Sequence, residues 1–168
     1  AGATVVLCSR DAKVTEQSIV LRENDEPRSH RFTSEPVTAA TPISHLLLTT
    51  KSYDAINAMN SVVHRFTKDT VIVAMMNGMA HVSSFPAIAP QSNVVFATTT
   101  AGCHRTGDEW IPAGNGQTLL GALDKNPTAP AWLATWQSAM PNISWRIDIE
   151  HRLIEKVAIN ACINPLTA

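Results

Sequence analysis

His45-Leu-Leu-Leu-Thr-Thr-Lys51, a stretch from Asp54 to Phe66, and Val71-Ile-Val-Ala-Met-Met-Asn-Gly78 follow one another along the chain. Uninterrupted apolar runs like the first and third predict strands buried on both faces, as parallel sheets require. Between them, Ala55, Met59, Val62, Val63 and Phe66 recur at the spacing of one helix face. Strand, helix, strand in that order predicts a βα unit on a parallel sheet. Lys51 and Asn77-Gly78 then fall at the carboxyl ends of the strands, where open α/β sheets bind ligands.

The same texture extends to both sides. Thr4-Val-Val-Leu-Cys8, stopping at Ser9-Arg10-Asp11, predicts another buried parallel strand, and Asn93-Val-Val-Phe-Ala-Thr98 a further one. Ile19-Val-Leu21 and His30-Arg-Phe-Thr33 predict a small hairpin around a polar stretch holding Pro27, and Met79 to Ile88 a short helix. From Gly102 onward, glycines and Pro112 punctuate Glu109-Trp-Ile111 and Thr118-Leu-Leu120, which predict antiparallel strands appended to the parallel core. Gly114-Asn-Gly116 lies among these turn signals and reads as a hairpin turn rather than a dinucleotide loop. Thr128 to Met140 predicts an amphipathic helix, Ile143 to Ile147 a last strand and Ile149 to Ile163 a long helix.

Composition sets the outer limits. The 168 residues are 45% hydrophobic and 16% charged, with Lys+Arg 13 against Asp+Glu 14. That balance predicts a globular chain with no nucleic-acid groove and no polybasic membrane patch. Apolar runs such as Val71 to Met76 fall far short of the ~20 residues of a bilayer span. Cys8, Cys103 and Cys162 are odd in number and widely spaced, which fits reduced thiols in a cytoplasmic protein, and no signal peptide is visible. The histidines never pair at ligand spacing, so no metal is expected. A nucleophile elbow and a phosphate-binding P-loop are both missing.

Two features point to chemistry. Arg10 ends the first visible strand, the place where a dinucleotide-binding sheet meets the adenosine ribose. An arginine there suits a 2′-phosphate, although a solvated surface arginine is an equal reading. Lys156, Asn160 and Asn164 are spaced i, i+4, i+8, so all three lie along one helix face. Ile154, Val157, Ala158, Ile159, Ala161, Cys162 and Ile163 surround that stripe and predict a largely buried helix. A buried stripe of this kind can line a polar cleft and tune a lysine toward general-acid work; a solvent-facing stripe is the competing reading. Pro165 should kink or end the helix.

Lys156-Val-Ala-Ile-Asn160-Ala-Cys-Ile-Asn164-Pro-Leu-Thr-Ala168 resembles the K-x-x-x-N-x-x-x-N-P-L-[TS]-A helix of the ketopantoate reductase family. Leu47-Leu-Thr-Thr-Lys51, Met76-Asn-Gly-Met79 and Ala97-Thr-Thr-Thr100 fall in the order of that family's strand-end motifs. The resemblance implies a Rossmann-like α/β domain and NADPH-dependent reduction of ketopantoate to pantoate, a step toward pantothenate and coenzyme A. It implies Lys156 as general acid, Asn160 and Asn164 as substrate ligands, and Asn77 touching both substrate and nicotinamide. Arg10 and Lys51 would serve NADPH, and Cys103 would contact the cofactor through its backbone.

The family's G-x-G-x-x-G turn has no counterpart here. Ala1-Gly-Ala3 matches the end of the helix that follows it, which implies roughly 20–25 further residues in front. On the resemblance, residues 1–148 are a Rossmann-type NADP-binding domain without its first strand and glycine loop. Residues 149–168 begin an inter-domain helix leading to a C-terminal helical domain that lies beyond this sequence, with the family's serine and glutamate. Activity is then expected of the full-length form, as a monomer or homodimer. The competing classes are a reductase of another small 2-oxo acid and a non-catalytic nucleotide-sensing or scaffold module.

Overall fold

The computed structural model describes residues 4–79, 82–140 and 142–167, with side chains to Ile163. The chain opens with strands alone, and strands and helices then alternate between Ile43 and Thr99. They are β1 (Val6–Ser9), β2 (Glu16–Glu23), β3 (Glu26–Pro36), β4 (Ile43–Leu48), α1 (Ala55–Val62), β5 (Phe66–Ala74), α2 (Phe85–Ile88) and β6 (Asn93–Thr99). Then come β7 (Gly102–Thr106), β8 (Glu109–Ala113), β9 (Thr118–Gly121), α3 (Leu133–Ala139), β10 (Ile143–Trp145) and α4 (Ile149–Thr167). Part of the short helix expected over Met79 to Ile88 lies outside the described residues.

The central sheet has the order β10-β9-β6-β5-β4. β4, β5 and β6 are mutually parallel, while β9 runs antiparallel to β6 and β10 parallel to β9. Period-two alternation sends successive side chains to opposite faces. Leu46, Leu48, Ile72, Ala74 and Phe96 meet Ala55, Met59 and Val62 of α1, Phe85 of α2, and Ile149 and Leu153 of α4. Val71, Val73, Val95, Ala97 and Leu120 meet Leu133 of α3 with Trp132, Trp136 and Trp145 packed around it. Helices therefore cover both faces, which is why these strands read as continuous apolar runs.

The remaining strands form a second sheet, β1-β3-β2-β8-β7. The expected hairpin is there and is longer than its apolar residues indicated, because Asn24 (φ 51°) and Asp25 (φ 66°) make a tight turn and Pro27 sits inside β3. Two positive φ values in a two-residue loop match the right-handed twist of the flanking strands. β8, expected beside the parallel core, instead pairs with β2 and with β7. Gly114 (φ 76°) and Gly116 are accordingly the passage from one sheet to the other, a correction to the hairpin turn. A side chain on Gly116 would collide with the backbone of Thr100 and Ala101.

Two further expectations are overturned. β1 is not buried: Val5 and Val6 are 54% and 39% exposed, because the strand pairs only with β3 among the described residues. α4 is not largely buried either. Ile149 and Leu153 enter the core, but Ile154, Val157, Ile159 and Ile163 lie in solvent, and the helix runs past Pro165 to Thr167.

Buried Arg65, at the end of the short 3-10 extension of α1, ties the second sheet to the segment that leads into the first. Its Nη2 donates to Glu35 Oε2 of β3 at 2.6 Å and its Nε to the Thr41 carbonyl at 2.7 Å.

Candidate active site

The carboxyl ends of β4, β5 and β6 lie along one edge, and the chain leaves each in a loop. The Met75 amide donates to the Leu48 carbonyl at 2.9 Å, which holds the exits of β4 and β5 together. Lys51 follows β4 with its side chain exposed, and its carbonyl accepts the Asp54 amide at 2.9 Å to start a 3-10 turn. Asn77, also exposed, follows β5 and precedes Gly78, whose φ of 91° suits glycine alone. A Cβ on Gly78 would lie 3.7 Å from Ser52 Cβ, so the Lys51-Ser52 and Asn77-Gly78 loops adjoin.

Lys156 reaches the same edge from α4. Its Nζ donates to the carbonyl oxygen of Thr99, the last residue of β6, at 2.6 Å. That carbonyl is available because the last β5–β6 pair is Ala74 with Phe96, so β6 projects beyond its neighbour. On its other side β6 is held by β9, where Thr99 faces Thr118 and the Thr100 amide donates to the Gln117 carbonyl at 2.9 Å. Burial pushes the Lys156 ammonium below the ordinary lysine value of 10.5, since leaving water disfavours the charged form.

Gly121 sets how closely α4 approaches. A Cβ there would lie 2.7 Å from Ile149 Cβ and would strike the Arg146 carbonyl, so only glycine lets the first turn of α4 rest on β9. Asn160 follows Lys156 by one turn and is half-buried. The side chain of Asn164 lies outside the described residues.

Lys51, Asn77 and Lys156 are thus gathered at one sheet edge. Arg10 is exposed just past β1, at an end of the second sheet, and Cys103 is exposed in β7, opposite Pro112. Among the described residues neither side chain hydrogen-bonds to Lys51, Asn77 or Lys156. Sequence reasoning missed three contributors: Thr99, which receives the lysine, Gly121, which seats the helix, and Thr50. The run of three threonines from Thr98 to Thr100 was the available signal. The Thr50 hydroxyl is buried without a hydrogen-bond partner beside Lys51.

This donor set fits a nicotinamide nucleotide. Exposed cations at strand ends can meet phosphates, the Asn77 amide can meet a carboxamide, and the unpartnered Thr50 oxygen marks a place where a polar partner belongs. Among the described residues no group of three His, Cys, Asp or Glu side chains could hold a metal ion, and no helix is long and apolar enough to cross a membrane.

A mostly parallel sheet with helices on both faces, polar groups at its carboxyl edge and a partly desolvated lysine among them define a Rossmann-like domain. Comparison with known proteins sharpens this. The family model described as ketopantoate reductase PanE/ApbA matches residues 1–125, and the chain belongs to that family. A curated 2-dehydropantoate 2-reductase of Vibrio cholerae is 29% identical over 170 residues, covering 100% of this chain and 56% of the relative. The chain thus spans about half the length of that relative. A dimeric ketopantoate reductase from Staphylococcus aureus superposes with a TM-score of 0.70 at 15% identity, over 97% of this chain and 54% of that one. D-mandelate dehydrogenase in complex with NADH and anilino(oxo)acetate gives 0.76 at 16% identity, over 95% and 54%. At those identities the structures establish the fold.

Proposed function

We propose that the protein carrying this chain reduces 2-dehydropantoate to pantoate with NADPH, in the route to pantothenate and coenzyme A. The observation that carries the reading is the seat of Lys156: an ammonium partly removed from water, held on the Thr99 carbonyl at the ligand-binding edge of the sheet. NADPH, when bound, supplies the hydride. Lys156 offsets the negative charge growing on the ketone oxygen and gives it the proton from Nζ, so the C=O π bond becomes C–H and O–H. A lysine pKa moved toward neutrality makes the ammonium a better donor at physiological pH.

Asn77 would contact both the nicotinamide carboxamide and the substrate. Asn160 and Asn164 would hold the substrate's carboxylate and hydroxyl side. Arg10 and Lys51 would bind the phosphates of the cofactor, Arg10 favouring the 2′-phosphate and hence NADPH over NADH. Cys103 would meet the cofactor through its backbone. Residues 1–148 are read as the cofactor-binding domain and 149–168 as the start of an inter-domain helix. Exposed Ile154, Val157, Ile159 and Ile163 support that division, because several large apolar side chains left in solvent around one helix suit a segment that runs between packed units.

The test is turnover of 2-dehydropantoate by the natural-length protein and its Lys156→Ala variant. Loss of about 10²–10⁴ in kcat with NADPH affinity nearly intact is expected. A variant as fast as wild type removes Lys156 from the mechanism. Wild-type protein inactive toward 2-dehydropantoate but active on another 2-oxo acid moves the specificity, and inactivity toward all of them leaves a binding module.

A further inference from the structure

One peptide group links the lysine to strand β9. The bond between Thr99 and Thr100 is trans, and a planar trans peptide points its N–H and C=O in opposite directions. Its carbonyl accepts the Lys156 ammonium at 2.6 Å, and its amide, that of Thr100, donates to the Gln117 carbonyl at 2.9 Å. The register agrees. The Thr118 amide, opposite Thr99, turns away to the Asn142 carbonyl, so Thr99 and Thr118 are a non-hydrogen-bonded pair and the Thr99 carbonyl points away from β9.

Three contacts hold that peptide still. The Thr100 hydroxyl accepts the Gln117 amide at 2.9 Å and donates to the Gln117 carbonyl at 3.4 Å, so Thr100 grips Gln117 through backbone and side chain together. The next amide, of Ala101, is drawn back onto Thr99 Oγ1 at 3.1 Å. Gly116 packs so closely that a Cβ on it would collide with the Ala101 nitrogen and fall 2.5 Å from the Thr100 carbonyl carbon. The Thr100 side chain is exposed, so its hydroxyl fills no space in the core.

We infer that Thr100 and Gly116 are positioning residues of the reductase, fixing the Thr99–Thr100 peptide whose carbonyl aims the Lys156 ammonium. The inference rests on the reductase reading given above. An ammonium carries three N–H donors in a tetrahedral set, so the one spent on the Thr99 carbonyl restricts where the other two point. A carbonyl displaced by about 1 Å carries the ammonium with it, and misplacement on that scale costs about 10²-fold in rate. Both residues act through Lys156.

The test is a set of variants of the natural-length protein, each made with Lys156 present and again with Lys156→Ala. Thr100→Val removes the hydroxyl at nearly constant volume and is expected to lower kcat about 2- to 10-fold, the worth of a neutral hydrogen bond. Thr100→Ser, which keeps the hydroxyl, should recover most of that loss. Gly116→Ala displaces the peptide itself and should cost about 10²-fold in kcat. With Lys156→Ala, neither Thr100→Val nor Gly116→Ala should lower the residual rate further, because the group they aim is gone. Losses of the same factor with and without the lysine overturn the positioning role and leave the reductase reading intact, as does a Thr100→Val enzyme with wild-type kcat. If Gly116→Ala does not fold, the exposed Thr100 variants still decide the matter. A wild type inactive toward every 2-oxo acid overturns the reading, and the positioning role with it.

Discussion

Lys156 Nζ lies 2.6 Å from the carbonyl oxygen of Thr99, so the long helix α4 and the end of strand β6 are joined by a single charge-assisted hydrogen bond. The bond orients the ammonium, and its half-buried position determines how that group titrates. Since burial lowers the Lys156 pKa below 10.5, the alkaline limb of the turnover profile is expected to fall with an apparent pKa below 10.5, as the acid form is lost. A profile flat through that range would show that Lys156 is not the proton donor.

The same shift has a consequence for stability. A lysine whose folded pKa is depressed destabilises the fold fully while both states are protonated, and the penalty is relieved as pH rises from the folded value toward 10.5. Lys156→Met should therefore raise the denaturant midpoint slightly at neutral pH, and the gap to wild type should close within that alkaline window. Urea titrations at a series of pH values measure it.

Gly121→Ala should unseat the start of α4. The added methyl meets Ile149 and the Arg146 carbonyl rather than open space. Overpacking of this kind costs about 1–3 kcal/mol, readable as a lower urea midpoint with an unchanged m value. Because Lys156 rides on the same helix, a lysine Nζ resonance shifted toward that of an exposed lysine should accompany the loss.

Arg65→Leu tests the tie between the sheets. Arg65 is 5% exposed and paired to Glu35, so removing it leaves the carboxylate and the Thr41 carbonyl without their donor. Because the Glu35 side chain is 28% exposed and can rehydrate, the loss is about 1.5–3 kcal/mol, that of a hydrogen bond to a charged partner, which equilibrium denaturation can resolve. Glu35→Gln, which keeps an acceptor at the more exposed partner, should cost less, and the double variant less than the sum.

Asp148 anchors the beginning of α4. The hydrogen bond from Arg146 holds its carboxyl at about 2, below the ordinary 3.8, with Arg152 adding a second contact at 3.0 Å. A depressed carboxyl pKa gives stability that is complete above 3.8 and disappears as pH falls through about 2. Asp148→Asn should accordingly lower the thermal midpoint at neutral pH and converge with wild type in strong acid. A constant difference across the range would assign the loss to packing.

Much of this fold was legible in the chain because burial on both faces writes itself as unbroken apolar runs. β4, β5 and β6 could be read that way, and the helix face through Ala55, Met59 and Val62 by its period. β8 could not be assigned to the right sheet, because a short strand's sequence does not name its partner. The apolar residues of α4 misled for a related reason: periodicity shows which residues share a face but not whether another element covers it. Lys156, Asn77 and Lys51 were visible as strand-end and helix-stripe positions.

The amino-acid sequence alone therefore determined the α/β class, the carboxyl-edge placement of the polar residues and the family likeness, since all three follow from local pattern. Only the tertiary structure decided that Lys156 meets Thr99, that Gly121 sets the depth of the helix and that Arg65 links the sheets. Each of those joins residues far apart in the chain, and such contacts depend on how β6 outruns β5 and how closely α4 packs on β9, quantities that no run of residues encodes by itself.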